Sequence, residues 1–439
     1  MVTPSLDTGR VEAGLARRLG SWTPILLATL ATGLIAGFGS VLFHYLADSF
    51  GDFLFSLDQS YPVLAHVPVV VLIPSVGLTL VGVVLQLVPE ASIGGVKEVF
   101  DALEHSHGVI PFRRISNVIL SGLVLAFGGS VGPEGPMVQL GALVGSLAGQ
   151  SARVGQRHLE LVVQAGAAAG IAAAFRSPAG GVLLVLELFG ARFNRGLAAI
   201  SAAAVVGYIT RTAIVGDAYP FRPAVPLEPL PLKALFFAAP LMGLTAALAG
   251  HLFIRMFNSF KSIFPKQWPL WLRVGLGGVV LGLMATRFPQ ILSGGYPVIL
   301  QGLGNDFGLQ LFLLLLGLKM LSTSISFGSG AVGGLFAPTL VIGAMFGGAY
   351  GHAFNSVMPS VVPQPELFVL LGMVVMFGSI VKGYWSGLLM VADMSGCYHQ
   401  LLLPGVIAGG ISFLVSWEMH DLSIFGLPID PAHKLGRVK

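Results

Sequence analysis

Charge is scarce in this sequence. Of 439 residues, 24 are Lys or Arg and 20 are Asp or Glu, 10% together, where soluble domains carry about 25%. With 54% hydrophobic residues as well, there is too little polar side chain to cover a water-exposed surface, which excludes an ordinary soluble enzyme. Cysteine is nearly absent too. The single Cys397 excludes an intrachain disulfide and a cysteine-based metal site, and in its apolar stretch it reads as a packing residue. No nucleotide-binding loop is present, so no regulation by nucleotide is expected; no cofactor and no metal are expected either. Residues 1–20 read as a short polar tail, and the stretch after Pro428 leaves no room for a soluble domain. The net charge is +4, but the cations read as scattered singly in short linkers without interleaved aromatics, which argues against a nucleic-acid partner.

What is abundant is apolar sequence. Runs recur from Trp22 to Trp417, the long ones approaching the roughly 20 residues that span a bilayer as helix, so the chain reads as an all-α polytopic membrane protein. The first run, Trp22 to Ala47, is too long for a signal-peptide core and is expected to be a retained span. Arg17 and Arg18 precede it and Asp48, Asp52 and Asp58 follow, which predicts a cytoplasmic N-terminus; the expected location is the inner (plasma) membrane. Five prolines in residues 216–231 exclude a continuous helix there. The expected organisation is a tail (1–20), a first half (21–215), a Pro-rich connector (216–231), a second half (232–430) and a tail (431–439). A softer break falls at Asn258 to Pro269.

The halves resemble each other at an offset of about 200 residues. FGGSVGPEGP opens at Phe127 and FGSGAVGGLFAP at Phe327, both glycine-rich, both ending in proline and running into apolar helix. Glu187 and Asp393 each stand six residues after a glycine, Gly181 and Gly387, inside an apolar run. Duplicated halves with glycine-interrupted segments at matching positions are the pattern of transporters whose site lies where broken helices meet.

In residues 127–136, four glycines and two prolines exclude a straight helix, so helix is predicted from about Glu134. The first N–H groups of such a helix lack intrahelical partners and carry partial positive charge, which favours an anion. Glu134 itself supplies one. Either its carboxylate fills an anion site and leaves on protonation, or it only stabilises the first turn. The second copy has no acid and presents Leu335 and Phe336 before Ala337-Pro338, so its N–H groups are free to face a ligand; alternatively the glycines serve close helix packing.

The segments GSVGPEGP (129–136), AGAAAGIAAAFRSPAGGVLLVLE (165–187) and GSGAVGGLFAP (328–338) resemble, in order and spacing, the CLC family of chloride channels and chloride/proton antiporters. The resemblance covers roughly residues 20–430. It implies a homodimer with a separate anion pathway in each subunit, built from two inverted halves of tilted and broken helices. It also implies Glu134 as the gating glutamate and an anion site from the backbone around Gly94, Gly95, Val96, Gly132, Gly135, Leu335 and Phe336, closed inside near Phe425.

Several positions depart from that pattern. Where the family commonly has a serine contacting the anion, this chain has Gly94, followed by Lys97 in place of a proline. Lys97 either attracts anions or is a solvated charge. The inner tyrosine is Phe425, whose ring can block but cannot donate a hydrogen bond. Pro133 stands where Arg or Lys often precedes the gate. Of the paired acids that end the 181–188 segment in antiporters, Glu187 matches the first, structural one, and Leu188 replaces the proton-transfer one; a shift of one residue would make Glu187 the proton carrier. Intramembrane carboxylates are functional candidates by default, but Glu187 and Asp393 are expected to hold backbone or loop. The Tyr384-Trp385 pair is read as an interface anchor.

The expected function is therefore transport of chloride or another small anion, gated by Glu134, with proton-coupled exchange (Glu134, Glu187) and uncoupled conduction both open. Fluoride export is an alternative that Gly94 and Pro133 admit. An intramembrane protease using Ser329 or Ser386 with His352 is disfavoured, because no metal-type or triad spacing accompanies them.

Overall fold

The computed structural model describes residues 8–60, 63–64, 67–191, 196–304, 306–362, 364–419 and 423–427. Phe425 therefore falls within it, and the tail 431–439 lies outside it. The first half contains α1 (Thr8–Ser60), α2 (Val69–Leu87), α3 (Gly95–His105), α4 (Ile115–Ala126), α5 (Glu134–Ser151), α6 (Gln156–Phe175), α7 (Pro178–Phe189) and α8 (Gly196–Val215). The second contains α9 (Leu232–Phe236), α10 (Ala238–Ile263), α11 (Leu270–Ala285), α12 (Tyr296–Leu303), α13 (Leu309–Ser329), α14 (Phe336–Val357), α15 (Leu367–Ile380), α16 (Tyr384–Ser395) and α17 (Tyr398–Met419). Among the described residues the only strands are a two-residue pair, Val63–Leu64 with Val67–Pro68. Among the described residues, seven helices are long and apolar enough to cross a membrane, while α7, α11 and α15 are apolar but shorter. Short helices buried among long ones leave helix ends inside the protein, which a bilayer tolerates only where protein groups satisfy them.

Corresponding pairs pack in the same way. In α5 and α6, Gly141 and Gly166 meet backbone to backbone, and a Cβ on either would collide with the other's carbonyl. Gly343 of α14 and Gly372 of α15 repeat that crossing in the second half. Small residues replace hydrophobic drive between helices in lipid by letting backbones approach. The consequence is a dense centre: every residue of α15 is buried. α7 and α16 run antiparallel, the end of each bonded to the start of the other through Glu187 and Asp393. This relation gives the two halves opposite orientation. Between them, residues 216–231 carry no helix, and Phe221 N–H bonds to Met394 O at 3.0 Å.

Three expectations need correction. Helix α1 begins at Thr8 rather than after residue 20, and it continues past Ala47 to Ser60 as one element. The break at Asn258 is shorter than expected because α10 continues to Ile263. Cations are not confined to linkers: Lys319 lies inside α13 and Lys382 between α15 and α16, both buried. Backbone carbonyls make their burial possible, with Lys319 Nζ donating to Ile291 O (3.0 Å) and Ser293 O (2.8 Å), and Lys382 Nζ to Ser416 O (2.7 Å).

Candidate anion site

The two glycine-rich stretches meet at the centre of the molecule. Gly132 N–H donates to Gly334 O at 2.7 Å and Gly334 N–H returns a bond to Gly132 O at 2.8 Å, a two-bond antiparallel bridge joining the halves. Two residues on from each partner a helix starts, α5 at Glu134 and α14 at Phe336. Glycine is required here by proximity: a Cβ on Gly135 would stand 2.7 Å from Gly334 Cα. Sequence reasoning placed both helix starts, but it offered Gly132 N–H to an anion, and the structure spends that donor on Gly334.

Glu134 is completely buried. Its side chain crosses to the second half, where Oε2 accepts from Ala337 N–H at 3.2 Å and Oε1 from the Tyr296 hydroxyl. The carboxylate thus occupies the start of α14, where unpaired N–H groups and the helix dipole favour negative charge. A glutamate is an internal anion tethered at that spot. Leu335 is the N-cap of α14 and is buried, and Phe336 lies fully buried behind it.

On the opposite side of the helix starts the site is aromatic. Phe336 packs against Phe175 (6.0 Å between ring centres), Phe377 (5.5 Å) and edge-on against Phe425 (5.5 Å). Phe425 also lines a cavity of about 620 Å³ together with Lys97, Asn258, Lys261 and Glu418. Lys97 therefore faces this cavity, opposite a second ammonium.

The start of α3 is built differently from expectation. Gly95, in the left-handed region at φ +65°, donates its N–H to Gln139 Oε1 at 2.8 Å, so this donor too is engaged within the protein. A side chain on Gly94 would coincide with the Asn117 amide, which donates to Ala91 O at 2.6 Å. Glycine at 94 is thus compensated by an asparagine filling the vacated volume. Val96 follows, buried in the first turn of α3, and Glu98 pairs with Arg114 at 3.1 Å.

Glu187 stands away from this junction. Its carboxylate accepts from Trp385 N–H (2.7 Å), Ser386 N–H (3.1 Å) and the Ser386 hydroxyl (2.5 Å), capping the start of α16. Asp393, at the end of α16, accepts from Ser177 at the start of α7 and from Tyr398. Leu188 is buried. Ser386, one of the two serines weighed as a nucleophile, is thus bonded to Glu187, and Ser329 donates to Ser326 O at 2.8 Å. His352 Nδ1 contacts Gly348 O at 3.0 Å.

Tyr296 and Lys319 are among the residues that the sequence reading missed. Tyr296 contacts Glu134 from 162 positions away, and its Gly-Gly-Tyr-Pro setting carries no local sign of that. Lys319 was legible, since a lysine inside an apolar run is a functional candidate by default.

Opposed half-repeats of broken helices, closing around a buried carboxylate at paired helix starts, define a multi-pass membrane protein of the repeat-built transporter class. Residues 76–417 match the family model described as voltage gated chloride channel. The chain belongs to that family, the CLC proteins. It is 32% identical over 352 residues to a ClcB-like protein of Ralstonia nicotianae, covering 77% of this chain and 80% of that protein. It is 31% identical over 407 residues to the H(+)/Cl(-) exchange transporter ClcA of Vibrio vulnificus, covering 88% and 85%. In fold it is similar to a slow cyanobacterial Cl-/H+ antiporter, with a TM-score of 0.83 at 24% identity over 92% of this chain and 96% of that one. A CLC-type fluoride/proton antiporter superposes with a TM-score of 0.77 at 23% identity, over 92% and 98%.

Proposed function

We propose that this protein carries chloride across the plasma membrane, as a homodimer with one pathway per subunit, a cytoplasmic N-terminus and Glu134 as the gate. The observation that carries the reading is the Glu134 carboxylate seated on the Ala337 N–H at the start of α14. An anion stabilised there competes with that carboxylate for the same partial positive charge. Protonation removes the charge on Glu134 and with it the hold of the helix start, so the side chain leaves and the site opens to chloride. Phe425 narrows the opposite end by ring packing alone, and the paired ammonium groups of Lys97 and Lys261 draw anions into the cavity beyond it. Gly135, Val96, Leu335 and Phe336 supply the backbone around the site, with Gly94, Gly95 and Gly132 acting as close-packing positions.

Kinship with ClcA favours exchange of chloride for protons over uncoupled flow. In that reading Glu134 is the proton-carrying group, and Glu187 serves as the brace of α16. The test is chloride efflux from proteoliposomes with external pH recorded together, repeated with fluoride. Chloride efflux with proton movement against its gradient is expected. Fluoride efflux with no chloride efflux would overturn the reading.

A further inference from the structure

Tyr296 occupies a place that gating by Glu134 alone does not explain. It is the first residue of α12, and its hydroxyl donates to Glu134 Oε1 while Ala337 N–H holds Oε2, so the carboxylate is gripped from two elements. The mount beneath it is rigid. Lys319 Nζ ties down Ile291 O and Ser293 O, Ser293 N–H bonds to Gly128 O at 3.2 Å, and the Ser293 hydroxyl bonds to Leu125 O at 2.8 Å. The ring itself is fixed edge-on by Phe221 of the connector, 5.2 Å between centres.

Tyr296 is also a wall. It lines a cavity of about 600 Å³ with His44, Asp48, Arg211, Pro220 and Met394, none of which lines the cavity beside Phe425. Glu134 has no exposed surface, and Tyr296 is only partly buried, so the phenol stands between the cavity and the carboxylate. The charged or titratable groups facing this pair are His44, Tyr45 and Asp48 from α1, Arg211 from α8 and Lys319 from α13, under the turn before Tyr296.

We propose that Tyr296 is the outer latch of the gate: its hydroxyl holds the Glu134 carboxylate closed and seals it from the cavity lined by His44, Asp48 and Arg211. The proposal rests on Glu134 being the gate. A hydrogen bond to an ionised group favours the charged form, so the latch makes the gate harder to protonate and slower to open. Tyr296 acts through Glu134 and is a positioning residue. It supplies, on this side of the site, a phenol hydroxyl that Phe425 lacks on the other.

The test is the pH profile of chloride efflux from proteoliposomes for four proteins: the unaltered chain, Tyr296→Phe, Glu134→Gln and the double variant. Tyr296→Phe keeps the ring against Phe221 and is expected to move half-maximal efflux upward by about one pH unit. In the double variant the Tyr296 change is expected to add nothing to Glu134→Gln. A Tyr296→Phe profile that overlays the unaltered one, while Glu134→Gln differs, overturns the latch and leaves the gate standing. Equal acceleration by Tyr296→Phe with and without the Glu134 carboxylate also overturns it. If Glu134→Gln itself leaves the profile unchanged, the gate reading fails and the latch with it. Infrared difference spectra of the unaltered protein give a check that needs no Tyr296 variant. On acidification the Glu134 carboxyl band and a tyrosine band should change together, and a carboxyl change alone overturns the proposal.

Discussion

Ala337 of the second half donates its backbone N–H to Glu134 of the first at 3.2 Å, across 203 residues of sequence. The bond joins a buried carboxylate to the helix start that was expected to bind an anion, and in the proposed function it makes the junction a switch: charged, the side chain fills the site; protonated, it loses the attraction that kept it there.

Gly334→Ala would place a Cβ 2.6 Å from Gly135 N and 2.7 Å from Gly132 O, where both neighbours are backbone and cannot turn aside. Overpacking of this kind costs about 1–3 kcal/mol. A fall in melting temperature in detergent is expected, with loss of efflux, because the helix starts on either side of the bridge are pushed apart. Unchanged melting and efflux would show the close approach to be unnecessary.

Glu187→Gln should act on stability. It removes the charge that accepts three hydrogen bonds at the start of α16, and losing charge-assisted bonds at this half-buried helix end costs about 1–3 kcal/mol. The expected result is a lower melting temperature with the ratio of chloride to proton movement preserved. A normal melting temperature with proton movement lost would instead make Glu187 a proton carrier.

At the other end of the site, Phe425→Tyr adds a hydroxyl next to Phe336, whose ring it already meets edge-on. One added donor to an anion should tighten chloride binding by about tenfold, readable by calorimetry. Gly94→Ser should not achieve this alone, because the Asn117 amide fills the space of the new side chain. It is expected to destabilise as a single change and to be tolerated once Asn117 is also reduced to Ala.

Lys97 and Lys261 line one cavity, and their effect should be electrostatic. Replacing both with Gln is expected to lower chloride efflux at low ionic strength several-fold and to have little effect at high salt, where exposed charges are screened. A loss of efflux independent of salt would assign them a different role.

The sequence carried the junction because its signals are local. Glycine and proline spacing in 127–136 and 327–338 dictates where helix cannot form, and therefore where α5 and α14 start. Glu134 stood out in that frame as an acid at a helix start, and the family resemblance added its expected role as the gate. What stayed hidden depends on contacts between distant elements: Tyr296 meets Glu134 only because the turn at 289–295 is tied to Lys319, and Gly95 and Gly132 lose their donors to Gln139 and Gly334. Asn117 was illegible for the same reason, since only the packing of α4 on the start of α3 brings its amide to Gly94. Glu187 and Asp393 could be recognised as bracing acids, but their partners follow from the antiparallel packing of α7 on α16.

The most direct measurement is chloride efflux from proteoliposomes across pH 4.5–8 for the unaltered protein and Glu134→Gln. If the carboxylate on α14 is the gate, efflux of the unaltered protein rises as pH falls, because protonation discharges Glu134, while Glu134→Gln, permanently neutral, gives a flat profile. A Glu134→Gln variant that keeps the full pH response would contradict the account.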